Sequence, residues 1–482
     1  MKEVFIKTLS MGIVLCILTA CTGRPSPSTY SNSSATSSDS NVEADNKNTE
    51  PTATGFKNLT RPYYSVLGCG GESGYYETRA RDDGSANVTY IDYSSQKEIY
   101  LCNAPGCAHD NEGCTSWISA ENAGVFPLIS SDHLLLIHRT YGGEEGKQSL
   151  SRIDAASLDG SNRKTLITFN NGERLGDVFC TNGESLICSL TTLEQLPDTL
   201  ESTFTLCMID LNTGERVDLY VEDTTDGIQP EFLGVTETGY AVLHSSQQTK
   251  TESDFPGKEW SEISDEIARS TFHQWEKIPI GGNCCESFYE YTGNIQQLLM
   301  ADGLYFYDVN TKKLIRISVQ DSNIDEVADF ISTDGNSAYI DGKFDEWLLM
   351  SIRHYEQHPN VEYPVAIESC YAINTQTKEV KELNIKQEIA EDRTIPIMLG
   401  QSATDLLLIT DSQTDNVEHY GFEYSIISKE GYLNSDVAEL RKVSFIEDAT
   451  ALSTMRWASP CNSAIAASRA LSAAASASSC VV

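Results

Sequence analysis

No apolar run in this chain reaches the roughly 20 residues that a membrane-spanning helix requires. The longest, from about Leu9 to Leu18, covers about half that length, so the sequence predicts no spanning helix. Basic residues are scarce: 34 Lys and Arg stand against 70 Asp and Glu, a net charge of −36, and no basic cluster interrupts the excess. A surface of that sign excludes nucleic acid as a partner and argues against adhesion of the folded part to anionic lipid. Gly-x-Ser-x-Gly, His-Glu-x-x-His, the P-loop and the EF-hand loop are all missing, which removes the commonest signatures of hydrolases, zinc proteases, nucleotide enzymes and calcium sensors. Helical periodicity is scarce too. One plausible helix is too few for the alternating helices and strands of an α/β solute-binding protein.

The short apolar run follows Lys2 and Lys7 and ends in Leu18-Thr19-Ala20-Cys21. Its length and basic flank fit a signal peptide over residues 1–20. The last four residues match a lipoprotein cleavage box, with small side chains where a peptidase must reach the backbone. The sequence therefore predicts lipidation of Cys21 and a place on the outer face of a bacterial cell membrane, with the bilayer as one partner. Residues 22–54 are Ser, Thr, Asn, Pro and Glu with almost nothing large to bury, and are expected to be a disordered linker reaching roughly 30 Å. An Ala/Ser-rich tail over 451–482 is expected to be disordered as well.

Between them, residues 55–450 repeat one pattern, an apolar strand carrying Asp or Asn, a polar turn, then a second strand. Copies begin at Val88, Ser151, Leu206, Leu304 and Cys370, with Asp92, Asp154, Asp210, Asp308 and Asn374 as markers. A second hairpin precedes most copies, at Phe126–His138, Val178–Leu190, Phe232–His244, Ile331–Ile352 and Ile397–Thr410. Apolar alternation around Asn-Thr-Gly and Asp-Gly turns is a hairpin signal. Units of four short strands repeated in this way predict an all-β fold, a β-propeller of about six four-stranded blades, six to seven, with one helical insertion. Blade starts are expected near 56, 124, 177, 229, 328 and 395, and the wide gap before Asp308 is read as an insertion. A pair of β-sandwiches is the competing architecture.

The stretch Ser151 to Leu166, with Leu158-Asp159-Gly160-Ser161-Asn162, resembles the blade repeat of TolB-like propellers. Leu101-Cys102 with Cys107-Ala108-His109 and Cys114, together with Tyr424 to Tyr432, is similar to elements of β-propeller lipoproteins of clostridia and their relatives. The resemblance covers roughly residues 56 to 445. It implies the fold and the closing strand near Tyr424, and no activity.

Ten cysteines lie in the propeller segment: Cys69, Cys102, Cys107, Cys114, Cys180, Cys188, Cys207, Cys284, Cys285 and Cys370. Outside the cytoplasm, disulfides are permitted. Cys102, Cys107, His109 and Cys114 offer three soft donors and an imidazole, which suits zinc. Their spacing also suits one or two disulfides stapling an irregular loop, or free thiols. Cys180, Cys188, Cys207 and Cys370 read as small buried hydrophobes. Asp82-Asp83 and Asp334-Gly335-Asn336 could cap turns or touch calcium. No cofactor is required by any of this.

In a propeller the connections between second and third strands, and between blades, emerge on one face. Here these are the long segments, at 142–148, 192–203, 247–297, 354–366 and 411–420, joined by the Cys/His connection at 102–123. Binding residues concentrate on such loops. The largest carries Trp260, Ile263, Ile267 and Trp275, expected on one side of a helix over 258–275, followed by Phe288, Tyr289 and Tyr291. Aromatics there could form a platform for an extracytoplasmic protein or a glycan, or pack onto the propeller. The reading is a membrane-anchored binding or scaffolding module. A glycan hydrolase of the envelope and a metal-responsive envelope protein are the alternatives.

Overall fold

The computed structural model of the chain describes residues 55–59 and 68–445, apart from 82, 103, 120–124, 140–149, 196–199, 226, 283, 310, 330–336, 357–364, 386, 390–391, 395–396 and 415–419. Cys21, the linker, the Ala/Ser-rich tail and Asp334-Gly335-Asn336 lie outside the described residues. Among those described, no helix is long and apolar enough to cross a membrane.

Alternating apolar and polar residues give antiparallel sheets, because successive side chains on a strand point to opposite faces. Seven sheets of this kind follow one another, each a blade with strands A to D. Blade 1 runs Gly68–Gly70, Gly74–Ala80, Ala86–Asp92 and Lys97–Tyr100. Blade 2 is Val125–Ser130, His133–His138, Arg152–Ser157 and Lys164–Thr168, and blade 3 is Glu173–Thr181, Ser185–Gln195, Leu200–Asp210 and Arg216–Asp223. Blade 4 contains Glu231–Val235, Tyr240–Gln248, Thr271–Pro279 and Glu286–Thr292; blade 5 contains Ile295–Met300, Gly303–Asp308, Lys313–Ile317 and Ile324–Asp329. Blade 6 comprises Ser337–Phe344, Trp347–Glu356, Val365–Asn374 and Val380–Leu383, and blade 7 comprises Ile397–Gln401, Asp405–Thr414, Tyr420–Ser428 and Arg441–Lys442.

The seventh blade is the one that the marker spacing hides. Asp92, Asp210 and Asn374 each end a third strand, and their side chains accept the N–H groups of the turn that follows: Ser95 N–H donates to Asp92 (2.6 Å), Thr213 N–H to Asp210 (2.8 Å) and Thr377 N–H to Asn374 (2.8 Å). Asp308 plays the same part at the end of a second strand, where Thr311 N–H donates to it (3.3 Å). Treating its hairpin as strands C and D fused blades 4 and 5 into one unit. The wide gap therefore holds a whole blade and only a short insertion. The helix is Trp260–Arg269, not 258–275, and Trp275 lies on the strand after it. Asp154 departs as well, since it sits inside a strand and Asp159 makes the turn, accepting Ser161 N–H at 3.0 Å.

The core is a ring of seven apolar clusters, each spanning two neighbouring blades. Tyr76 and Val88 meet Leu134 and Leu136 between blades 1 and 2, Phe126 meets Phe179 between 2 and 3, and Cys180 and Phe204 meet Phe232 between 3 and 4. Trp275 meets Phe306 between 4 and 5, Tyr305 meets Ile340 between 5 and 6, Phe344 meets Leu408 between 6 and 7, and Leu407 and Tyr424 meet Tyr75 and Ile91 between 7 and 1. The ring is thus closed by apolar packing of the last blade on the first.

Two additions reinforce it. The chain leaves blade 7 and pairs Ser444–Phe445, parallel, with Lys97–Glu98 at the outer edge of blade 1. At that seam the Arg79 guanidinium lies over the Phe445 ring at 4.4 Å and between the carboxylates of Glu77 (3.1 Å) and Glu98, while Tyr424 Oη donates to Glu77 (2.5 Å). At the centre, Lys57–Asn58 adds a strand inside the innermost strand of blade 3, with Asn58 opposite Cys180. Asn58 Oδ1 accepts from Val235 N–H of blade 4 (2.9 Å) and from Cys180 Sγ (2.8 Å). Gly234 is required beside it, because a Cβ there would lie 2.6 Å from Asn58 Oδ1.

Two outcomes follow from these contacts. Asn58→Ala leaves the buried Val235 N–H without its acceptor, and should lower unfolding free energy by about 1–3 kcal/mol in a denaturant titration. Burial, opposed by Arg79 and reinforced by Glu77, pushes the Glu98 carboxyl up to about 8. A carboxyl raised in the folded state contributes stability that is present at low pH and lost as pH rises through the folded value. Glu98→Gln should therefore flatten the decline in stability between about pH 4.5 and 8, the unfolded and folded values. An unchanged slope over that range would show that Glu98 is already ionised there.

Candidate functional site

Strand D of blade 1 is interrupted. It stops at Tyr100 and resumes as Trp117–Ile118, which pairs with Asn87 and Ala86 of the same strand C. Between them residues 101–116 loop outward, pinched at the neck by Val88. The Leu101 N–H donates to Val88 O (3.0 Å), Val88 N–H donates to Ser116 O (2.8 Å), and Thr115 Oγ1 donates to Leu101 O (2.6 Å). Inside the loop, Asn111 caps a turn by accepting Gly113 N–H (3.0 Å), and its carbonyl accepts Cys114 N–H (2.9 Å).

This path brings Cys102, Cys107, His109 and Cys114 together, with one ligand atom from each lying within 4.8 Å of all the others. His109 Nδ1 is 3.3 Å from Cys114 Sγ, and His109 N–H donates to Cys107 Sγ (3.4 Å). The His109 ring stacks on Tyr100 at 4.4 Å. Its carbonyl accepts from Arg81 Nη1 (3.1 Å) and Asn87 Nδ2 (2.9 Å), so blade 1 fixes the residue from behind. Burial pushes the Cys114 thiol up to about 12, while at Cys102 burial is outweighed by hydrogen bonds from Ala104 N–H and the neighbouring thiols, and its pKa falls.

On its other side the loop walls a cleft of about 320 Å³. The opposite wall is the turn between strands C and D of blade 2. Arg163 of that turn donates to Thr115 O (2.5 Å) and Trp117 O (2.9 Å). Gly160 has φ +80°, and a Cβ on it would lie 2.9 Å from Thr115 O, so the close approach of the two walls requires glycine. The Cys/His connection is thereby held between blades 1 and 2, against the turn between strands C and D of blade 2.

At the back of the cleft Asp154 gathers three partners. Its Oδ2 is 2.8 Å from His138 Nε2, and its Oδ1 accepts from Thr165 Oγ1 (2.8 Å) and Arg152 Nε (3.2 Å). Burial opposes the Asp154 charge, but these hydrogen bonds and cations outweigh it and bring the pKa down to about 2. Burial also lowers the His138 pKa, with Asp154 opposing, so the imidazole is neutral at pH 7. His138, Arg152 and Arg163 have no motif in the sequence. A signal was present at Asp154: a second aspartate, Asp159, already supplies the turn, which leaves Asp154 without a turn to make.

The aromatic candidates take other places. Trp275 is fully buried and Phe288 is 8% exposed; with the half-buried Tyr289 and Tyr291 they pack around Phe306 between blades 4 and 5. Trp260 is exposed, at 43%, while Ile263 and Ile267 on the same helix are buried. Strand packing claims Trp275 because it sits at the blade interface, not on the helix stripe. His273, on the same strand, has Nδ1 3.0 Å from His244 Nε2 and Nε2 3.0 Å from Gly293 O; burial, then His244, lowers its pKa to about 4. Asp83 caps a turn, accepting Ser85 N–H at 2.9 Å. Cys188 and Cys207 face each other across blade 3 with sulfurs 3.7 Å apart.

No family model and no curated protein matches the chain. Among solved structures it is similar to an oligogalacturonate lyase in complex with manganese, at 10% identity and TM-score 0.38 over 75% of this chain and 83% of that one. It is similar also to the β-propeller domain of the Trilobed protease from Pyrococcus furiosus, at 12% identity and TM-score 0.42 over 79% and 97%. An acylaminoacyl peptidase matches at 13% identity and TM-score 0.38 over 67% and 46%. The likeness extends to the fold alone.

The two pKa shifts in the cleft act with the same sign. Asp154 and His138 both bind protons less readily in the folded state, so stability falls as pH drops, first below about 6.5 through His138 and then between about 4 and 2 through Asp154. Asp154→Asn should lower stability at pH 7 by about 1–3 kcal/mol and flatten the acid limb of a denaturant-midpoint profile. Retention of the full acid slope in that variant would mean that Asp154 is not held ionised.

Proposed function

We propose that the protein is a lipid-anchored extracytoplasmic binding module, acylated at Cys21, carried on the linker over residues 22–54, and taking its ligand in the cleft between blades 1 and 2. It would then be a β-propeller lipoprotein of the kind whose first-blade Cys/His element it resembles. The observation that carries the reading is the pair of guanidinium groups in the cleft. In a protein of net charge −36, Arg152 and Arg163 line one small cavity whose buried carboxylate, Asp154, is already matched by Arg152, leaving the exposed Glu112 as its other acidic group. Guanidinium groups suit carboxylates in particular, through paired N–H donors. The ligand class is a small carboxylate-bearing molecule, such as the acidic unit of a glycan.

The buried His138 favours binding over catalysis in this cleft. Both its ring nitrogens are out of contact with solvent, and a general base must reach the proton it takes. Its role is to hold Asp154, which in turn orients Arg152.

Calorimetric titration of the full chain with uronic acids, dicarboxylates and neutral sugars tests the proposal. The acidic compounds should bind, and Arg152→Gln should weaken them by about tenfold or more, the loss of one charge-assisted hydrogen bond of roughly 1.5–3 kcal/mol. Equal affinity for neutral and acidic sugars, or binding indifferent to Arg152, would remove the cleft from consideration.

A further inference from the structure

Three thiols and an imidazole that converge within 4.8 Å can pair as a disulfide or surround an ion. Four observations decide between them. The number of thiols is odd, so any disulfide leaves one sulfur and the imidazole facing it without a purpose. The imidazole is aimed by the blade as well as by the loop: His109 takes a left-handed backbone, φ +55°, and is held there by Arg81 and Asn87 through its carbonyl and by Tyr100 under its ring. Left-handed backbone costs about 1–2 kcal/mol for a residue with a Cβ, a cost that the inward aim of the ring explains. The His109 N–H to Cys107 Sγ contact stabilises sulfur as an acceptor, the state in which it ligates metal. Finally, residues 102–113 bring no large apolar side chain to bury, so the loop has no core of its own to define its shape.

We propose that Cys102, Cys107, His109 and Cys114 bind one zinc ion that holds the 101–116 loop in place on blade 1. Three sulfurs and one nitrogen make a closed tetrahedral set of the structural type. The donor set excludes calcium and magnesium, which take oxygen ligands, and suits a borderline-soft ion without geometric preference. Zinc with three thiolates and a neutral imidazole carries one net negative charge. Arg81, bonded to His109 O, and Arg163, whose charge couples to Cys114, stand beside it. Outer partners of this kind orient ligands and strengthen metal binding. Because Cys114 also lines the cleft, the ion fixes one of its walls. The metal site itself does not depend on the ligand-binding proposal.

The test uses the full chain purified in mild detergent under anaerobic conditions, with zinc and cobalt as the probes. One equivalent of zinc per chain is expected, and cobalt in its place should show thiolate-to-metal charge transfer with tetrahedral ligand-field bands. Cys102→Ser with Cys114→Ser should lose the metal, Cys284→Ser, at an exposed site, should keep it, and Asn87→Ala should bind it about tenfold more weakly. The Asn87 variant retains all four donors, so it reads out orientation even if the double variant fails to fold. A disulfide among the three cysteines without bound metal overturns the proposal, as does stoichiometric zinc in a folded double variant.

Discussion

Closure of the ring is the constraint on which the rest of the structure depends. A four-stranded blade has two faces, and each apolar cluster here is built from facing sides of two adjacent blades. An open arc would leave two such faces in water. At the seam, Tyr75, Ile91, Leu407, Tyr424 and Ile426 are each buried, and at about 1.5–3 kcal/mol per buried side chain the apolar term supplies most of the closing energy. The Glu77–Arg79–Glu98 group contributes differently. Buried ion pairs add little net stability, but removing one member costs about 3–5 kcal/mol, so the group penalises any misalignment of the two blades.

The same architecture explains where irregular chain can be tolerated. Strand D is the outermost strand of a blade, and in blade 1 only Lys97–Glu98 of its far edge is paired, with Ser444–Phe445. Chain can leave blade 1 after Tyr100 and return at Trp117 at the cost of few backbone hydrogen bonds, because Val88 bonds to both ends of the excursion, its carbonyl accepting Leu101 N–H and its N–H donating to Ser116 O. The Cys/His loop also covers an edge that would otherwise offer free donors and acceptors. The inner edge of the ring is the other place with unpaired backbone, and there Lys57–Asn58 joins blade 3.

Electrostatics sets the back of the cleft apart from the acidic chain around it. The side chains that meet at Asp154 are one cation, Arg152, and two uncharged groups, Thr165 and His138, for a single carboxylate, and burial is what lowers the His138 pKa. Glu77 and Glu98 are sequestered at the seam around a single cation, Arg79, and burial lets Glu98 keep its proton up to about pH 8.

The fold class was legible in the sequence because strand alternation and turn chemistry are local: Asp92, Asp210 and Asn374 bond to N–H groups two or three residues away, whatever the blade packs against. The donor set Cys102, Cys107, His109 and Cys114 was legible for the same reason, being confined to one loop. Blade number was legible only as six to seven, since Asp308 makes the same local turn at the end of a different strand and nothing nearby distinguishes the two. The cleft was not legible, since its two walls come from residues 46 and 48 positions apart and meet only when blade 2 docks on blade 1. The fate of the aromatics was decided in the same way. Trp260 and Trp275 look alike in sequence, and only the packing of blade 4 on blade 5 sends one to water and the other to the core. What the sequence determined by itself is what neighbouring residues can do for each other; the tertiary structure decided which distant surfaces meet, because that depends on the ring closing.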